Sequence, residues 1–256
     1  MSLALDSRLP TIDYLLHLAD NALILGHRNS EWCGHGPILE QDIAITNISL
    51  DLIGQSRYLY QYAAKIIGED ATEDTLAYLR DVRGFKNCLL LELPKGDWAV
   101  TVLRQYLFSQ FQILQYKALQ QLADIQLSDI AEKAIKETAY HLRWSREWVV
   151  RLGDGTEESN HRMKNAVDHL WPYTGELFMP SAYETACAEI QIAVDPASLK
   201  EQWYAAVQQV FAEATLDLPP MSWSQIGGKE GMHTEHLGFI LAELQFMQRA
   251  YPGNEW

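Results

Sequence analysis

Apolar residues recur along this chain at three- and four-residue spacing over long segments, while the two-residue alternation of strands is scarce. The pattern predicts an all-α protein. A first helix is expected from near Thr11 to Gly26, with Leu15, Leu16, Ala19, Ala22, Leu23 and Leu25 on its apolar side. The second has Pro37 placed as its first residue and Gly68 as its stop, roughly thirty residues or about 45 Å of helix broken only by Gly54. A third begins after Asp97, a suitable N-cap, and continues to about Leu122. The fourth spans about Ser128 to Leu152 and ends at Gly153. Four helices of this length, two of them apolar nearly all round, describe a four-helix bundle whose central helices are buried.

Beyond the bundle, "GDGTEESN" reads as a short loop, and further helices are expected over about residues 160–251. One is "NAVDHLW", interrupted by Pro172; a second has Asp195 as cap and Pro196 in its first turn; a third, "HTEHLGFILAELQFMQRAY", ends before Pro252. The Pro- and Gly-bearing "LPPMSWSQIGGKEG" is an irregular excursion between the last two. With no repeat and no low-complexity tract, residues 1–256 are expected to form one domain, a core bundle over about 11–153 with accessory helices behind it.

Charge narrows the partners. Lys and Arg number 20 against 34 Asp and Glu, a net charge of -14, so a nucleic-acid backbone or an anionic membrane surface is repelled overall. Three scattered cysteines, Cys33, Cys88 and Cys187, fit neither a disulfide framework nor a zinc motif, which points to a reducing cytoplasm. The opening "MSLALDSRLPTIDY" has no basic region followed by a long apolar run, and no stretch reaches 18 consecutive apolar residues, so neither export nor membrane spanning is expected.

The segment "KETAYHLRWSREW" places Glu137 and His141 one turn apart in a predicted core helix, which raises the question of a metal site. Bundles that hold two iron or manganese ions use inward Glu and Glu-x-x-His on paired helices. Three residues before His141 stands Thr138, and the matching Glu-x-x-His on the second helix falls on Leu52 and Gln55. Asp51 is one position away, about 100° around the helix, Asp20 is on the first helix, and the third offers Gln105, Ser109, Gln110 and Gln112 in place of acids. The preferred reading is a polar network of Asp51, Gln55, Glu137 and His141 across the bundle, with no metal. His233 and His236 have ligand-like spacing but read as the polar first turn of a helix, and Trp144, Trp148 and Trp171 as core or interface anchors. No Walker loop, dinucleotide fingerprint or nucleophile elbow occurs.

Three separated stretches, "EWCGHGPILEQDIAITNISLDLIGQSR", "KAIKETAYHLRWSREWVVRLGDGT" and "GGKEGMHTEHLGFILAELQFMQR", together resemble the ferritin-like PaaC-type subunits of bacterial phenylacetyl-CoA epoxidases, also called phenylacetate-CoA oxygenases. The likeness extends over nearly the whole chain. It implies a ferritin-like bundle with additional C-terminal helices, acting as the non-catalytic structural partner of a related PaaA-type di-iron subunit. That partner inserts oxygen into the ring of phenylacetyl-CoA, and a reductase subunit with FAD and an iron–sulfur cluster supplies electrons from NADPH. The resemblance implies no cofactor in this chain, and Asp20, Asp51, Gln55, Glu137 and His141 become a vestigial metal-site network. The alternative is an autonomous di-iron oxidase or oxygenase with a rearranged ligand set of Asp20, Asp51, Glu137 and His141.

One last stretch departs from the acidic background. In "YLRDVRGFKN", Arg80, Arg83 and Lys86 fall close together, and Arg83, Phe85, Lys86 and Asn87 are a candidate contact for the phosphates and adenine of coenzyme A. The competing reading makes these cations the complement of a helix dipole.

Overall fold

The computed structural model describes residues 5–68, 70–220 and 223–254. Among them are the helices α1 (Leu5–Ser30), α2 (Leu39–Ile67), α3 (Glu73–Tyr78), α4 (Leu89–Glu92), α5 (Trp98–Leu119), α6 (Ile125–Gly153), α7 (Glu157–Leu170), α8 (Ala182–Glu189), α9 (Lys200–Glu213), α10 (Glu235–Leu244) and α11 (Phe246–Ala250), and no strand. The all-α bundle expected from periodicity is the fold, with α1, α2, α5 and α6 as its four long members.

Local chemistry sets most helix ends. The Asp97 carboxylate accepts from the Val100 N–H at 3.0 Å and starts α5 where an N-cap was expected. Gly68, at φ 76°, closes α2. Asp195 caps a single 3₁₀ turn, Pro196–Leu199, that leads into α9. Elsewhere the ends differ from those expected. Helix α6 begins a turn before Ser128, because Asp124 accepts from the Leu127 N–H at 2.9 Å. Helix α1 starts at Leu5 rather than Thr11 and has Pro10 inside it, where the missing N–H forfeits one bond of the second turn. Nor does α1 stop at Gly26: a Cβ there would stand 3.2 Å from Leu52 Cβ and 3.3 Å from the Ser49 carbonyl oxygen. That glycine is the close crossing of α1 on α2. Helices α3, α4 and α8 lie outside the predicted set, being too short to show a period.

Two hairpins, α1–α2 and α5–α6, make the bundle. Helices α2 and α6 run antiparallel side by side, as their cross-links fix: Gln41 accepts from the indoles of Trp144 and Trp148, Asp51 meets His141, Gln55 meets Glu137, and Tyr62 donates to Asp124. Helices α1 and α5 are the interior pair. Residues 14–26 of α1 are all buried, and α5 is buried except near its ends and at Gln110. Helices α4 and α8 pack on α1, while α7 and α9 cover α5 with an aromatic layer of Trp171, Phe178, Trp203 and Phe211. Trp203 is fully buried and donates to the Leu107 carbonyl at 2.9 Å. Opposite this covered side, α2 and α6 keep an open face on which Leu39 (72%), Ile43 (52%), Leu50 (61%) and Ile53 (41%) are exposed.

Two glycines give opposite expectations. At Gly153 a Cβ would come within 2.3 Å of the Ala214 carbonyl oxygen, so Gly153→Ala forces the chain after α9 away and costs about 1–3 kcal/mol. At Gly54 nothing lies within 4 Å, so Gly54→Ala, mid-helix, stabilises by about 0.5–1 kcal/mol. Urea denaturation of the two variants checks the pair; an unchanged midpoint for Gly153→Ala contradicts the close packing.

Candidate functional site

The inner face of α5 presents Gln105, Ser109, Gln112 and Tyr116 at helical spacing, and all four are buried. Facing them are Asn29 of α1, Ser49, Gln55 and Ser56 of α2, and Thr138, His141 and Ser145 of α6, again all buried. This polar seam runs through the bundle where a ferritin-like fold would hold metal. Gln55 is its hub: its amide donates to Glu137 at 2.9 Å, and its carbonyl oxygen accepts from Gln112 and Tyr116, each at 3.2 Å. His141 Nε2 donates to Asp51 at 2.9 Å. Farther along, Asn29 donates to Gln105 and Gln105 to Ser109. The structure thus brings Gln55 to Glu137 and His141 to Asp51, two pairs between neighbouring helices.

A dinuclear centre needs carboxylates and imidazoles converging on one point. Here Leu52, Gln55 and Thr138 occupy the inward positions, His141 is the seam's imidazole, and the two nearby acids are bonded to Gln55 and His141. No group of three His, Cys, Asp or Glu among the described residues is arranged to hold a metal ion. The donor set does not fit two irons.

Asp20 belongs elsewhere. It is fully buried and accepts from Tyr60 and Arg80, and from the Lys86 backbone N–H at 2.8 Å. Tyr60 lies nine residues from Asp51 along α2, about 13 Å, so Asp20 does not join the seam and the grouping with Asp51, Glu137 and His141 is corrected. The stretch 83–87 also needs correction. Phe85 is wholly buried with the Arg80 guanidinium 4.2 Å over its ring, and Asn87 is wholly buried with its amide donating to Glu92 at 2.8 Å. Neither has a face for adenine. Arg83 is exposed, and Lys86 is half-buried beside Asp13 and the ring of Tyr183.

The residues that the sequence reading missed form a second polar cluster, which clamps the C-terminal segment onto the body. Glu92, fully buried, accepts from Asn87, from His233 Nδ1 at 2.7 Å and from the Thr234 N–H at 2.6 Å, while His233 Nε2 lies 2.9 Å from the Phe85 carbonyl oxygen. Glu176 accepts from the backbone of Leu89, Gly227 and Gly228. Lys229, nearly buried, donates to both oxygens of Glu184. The missed signal was an isolated acid in an apolar run, as in "LLLELP" and "GELF". His233 serves this clamp and His236 sits in the first turn of α10. Burial alone would lower His233, but its hydrogen bond to Glu92 and that carboxylate's charge raise it above 6.5. Burial alone would raise Glu184, but His17 and Lys229 beside it hold it below 4.5. Burial raises Glu176 despite its three N–H donors.

The sequence profile of a family described as Phenylacetic acid catabolic protein matches residues 3–256. The chain is 48% identical over 243 residues to one of the subunits of the 1,2-phenylacetyl-CoA epoxidase of Escherichia coli (strain K12), covering 95% of this chain and 98% of that protein. No helix among the described residues is long and apolar enough to cross a membrane.

Two outcomes follow from the geometry. His141→Ala leaves a cavity in the seam and is expected to cost about 2–3 kcal/mol, whereas Asp51→Asn costs well under 1 kcal/mol because that carboxylate, 36% exposed, is largely hydrated. Equal losses from the two in urea melts contradict this. The clamp has its own pH dependence. His233 and Glu176, both raised on folding, lend stability that is lost as pH rises through their folded values; Glu184, lowered, lends stability that is lost as pH falls below 4.5. Amide exchange of residues 227–234, corrected for intrinsic rates, should quicken as pH falls below 4.5 and again as it rises above 6.5, and His233→Gln should reduce the alkaline loss to the part that Glu176 leaves. A corrected profile that does not quicken on either side of that range would contradict it.

Proposed function

The chain belongs to the phenylacetic acid catabolic protein family, and from that membership we propose that it is the structural subunit of a multicomponent phenylacetyl-CoA epoxidase. It pairs with a PaaA-type sister bundle that carries the di-iron centre, and other subunits complete the complex. A reductase with FAD and an iron–sulfur cluster brings electrons from NADPH. The observation that carries the reading is the seam: the bundle keeps the architecture of a metal protein while amides and hydroxyls stand at the inward positions. A cytoplasmic location, implied by the free cysteines, fits a catabolic enzyme that acts on a coenzyme A ester.

The open face of α2 and α6 is the surface proposed to receive the sister bundle. Its aliphatic stripe is flanked by Tyr58 and Tyr140, with Lys133 4.0 Å over the first ring and Arg143 5.7 Å over the second. Aromatics stacked under cations beside an apolar stripe suit a large, durable interface.

Co-expression with the sister and reductase subunits, followed by NADPH-dependent turnover of phenylacetyl-CoA, tests the function. Full turnover without this chain, or two tightly held irons in this chain purified alone, overturns it. Leu50→Glu is expected to weaken association with the sister bundle by about 2 kcal/mol or more while the isolated variant keeps its helix content, as judged by co-purification and circular dichroism. An undiminished complex contradicts the assigned face.

A further inference from the structure

A second exposed apolar stripe lies on α10 and α11. Helix α10 packs on α4 and on the turn Val82–Gly84, with Leu237, Ile240 and Leu241 buried on its inner side. Its outer side carries Glu235, Phe239 and Ala242, and Phe246 of α11 continues the same line at intervals of four, three and four residues. Phe239 is 65% exposed and Phe246 60%. Aromatic rings left in water on one side of a helix mark a surface that meets something.

Beside this stripe runs a groove of about 490 Å³, walled by Val82 on one side and by Leu241, Ala242 and Phe246 on the other. Its polar side chains are already engaged. Gln245 donates to the carbonyls of Ala77 and Arg80, and Arg249 to the carbonyl of Arg80 at 3.1 Å and the carboxylate of Asp81 at 3.0 Å. These bonds pin the junction of α10 and α11 to residues 77–81, so the trough is preformed and apolar. The rim is acidic. Asp81, Glu235 and Glu243 are exposed, and neither Glu235 nor Glu243 has a Lys or Arg within ion-pair distance among the described residues. Arg83 is the exposed cation nearby, and Arg249 is taken by Asp81.

We infer that α10, α11 and the turn at Val82 form a docking groove for a basic amphipathic helix of another protein. Apolar anchors one turn apart on that helix fill the trough between Val82 and Phe246, while its Lys and Arg side chains meet Glu235, Glu243 and Asp81. Charge selects this occupant. An anionic membrane is repelled by the same acids, and a second copy of this chain would set its own acids against them. The groove is separate from the α2 and α6 face and does not depend on the role in an epoxidase.

The test is fluorescence anisotropy of a labelled synthetic peptide of about 18 residues, with leucine at i, i+4 and i+7 and lysine elsewhere, titrated with the purified full chain. A peptide with glutamate in place of lysine is the control. The lysine peptide is expected to bind, more weakly as salt is raised, and the glutamate peptide not to. Phe246→Ser should weaken binding by about tenfold, and Glu243→Lys should weaken it and flatten its salt dependence. Both side chains are exposed, so both variants keep the fold. Leu50→Ser, on the α2 and α6 face, should leave binding unchanged. Equal binding of the two peptides, undiminished binding to Phe246→Ser, or loss of binding in Leu50→Ser overturns the groove. So does self-association of the chain, read by sedimentation, that Phe246→Ser abolishes.

Discussion

The rest of this structure depends on satisfying the polar groups of a helix that has no exposed side. Over residues 14–26 every residue of α1 is buried, yet it carries His17, Asp20 and Asn21, with Arg28 and Asn29 just beyond. Each buried group must find its partner inside the protein. His17 bonds the Lys86 carbonyl, Asp20 takes Arg80, Tyr60 and the Lys86 N–H, Asn21 takes the Cys88 N–H, and Arg28 caps the Glu92 carbonyl. The irregular stretch 80–92 is therefore held to α1 by side chains of α1 rather than by a backbone ladder. Glu92 and Glu176 repeat the device one layer out and bring the C-terminal segment onto that stretch.

This layering explains which parts of the fold were legible in the sequence. Asp97 and Gly68 act within one turn of the ends they set, so local reading found α5 and the end of α2. Gly26 looks like a stop for the same local reason, but its role is the approach of Leu52, and nothing within its own turn announces that. Periodicity shows which face of a helix a residue takes but not how far along the bundle its partner lies. Asp51, Gln55, Glu137 and His141 could be gathered into one network from the faces they take, but the pairing of Asp51 with His141 and of Gln55 with Glu137 is set by the antiparallel register of α2 and α6. Asp20 was placed in the wrong company because its partners come from an irregular stretch whose course no period encodes. Phe85 and Asn87 followed the same error: a run of cations suggests a surface loop, and burial of the residues between them is a tertiary fact.

The seam and the clamp also divide the chemistry. The seam is built of groups that keep no charge of their own at its centre, Gln55, Gln112, Tyr116 and Thr138, with its acids displaced toward the rim. The clamp concentrates buried charge, in Glu92, Glu176, Glu184 and Lys229, where it joins segments distant in sequence. A bundle centre filled with amides can be stable without a cation, whereas four converging carboxylates would repel one another until a metal arrived. Amides and hydroxyls at the inward positions carry no charge that a cation would have to offset.

That independence has a consequence for assembly. A bundle with α1 and α5 packed in its interior can present its open α2 and α6 face as a rigid apolar surface. The stripe of Leu39, Ile43, Leu50 and Ile53 is costly to leave in water, and the net charge of -14 offsets that cost by keeping free copies apart. Like charge opposes association between two copies of this chain but not with a less acidic partner. The net charge therefore biases the open face toward a different protein rather than toward itself.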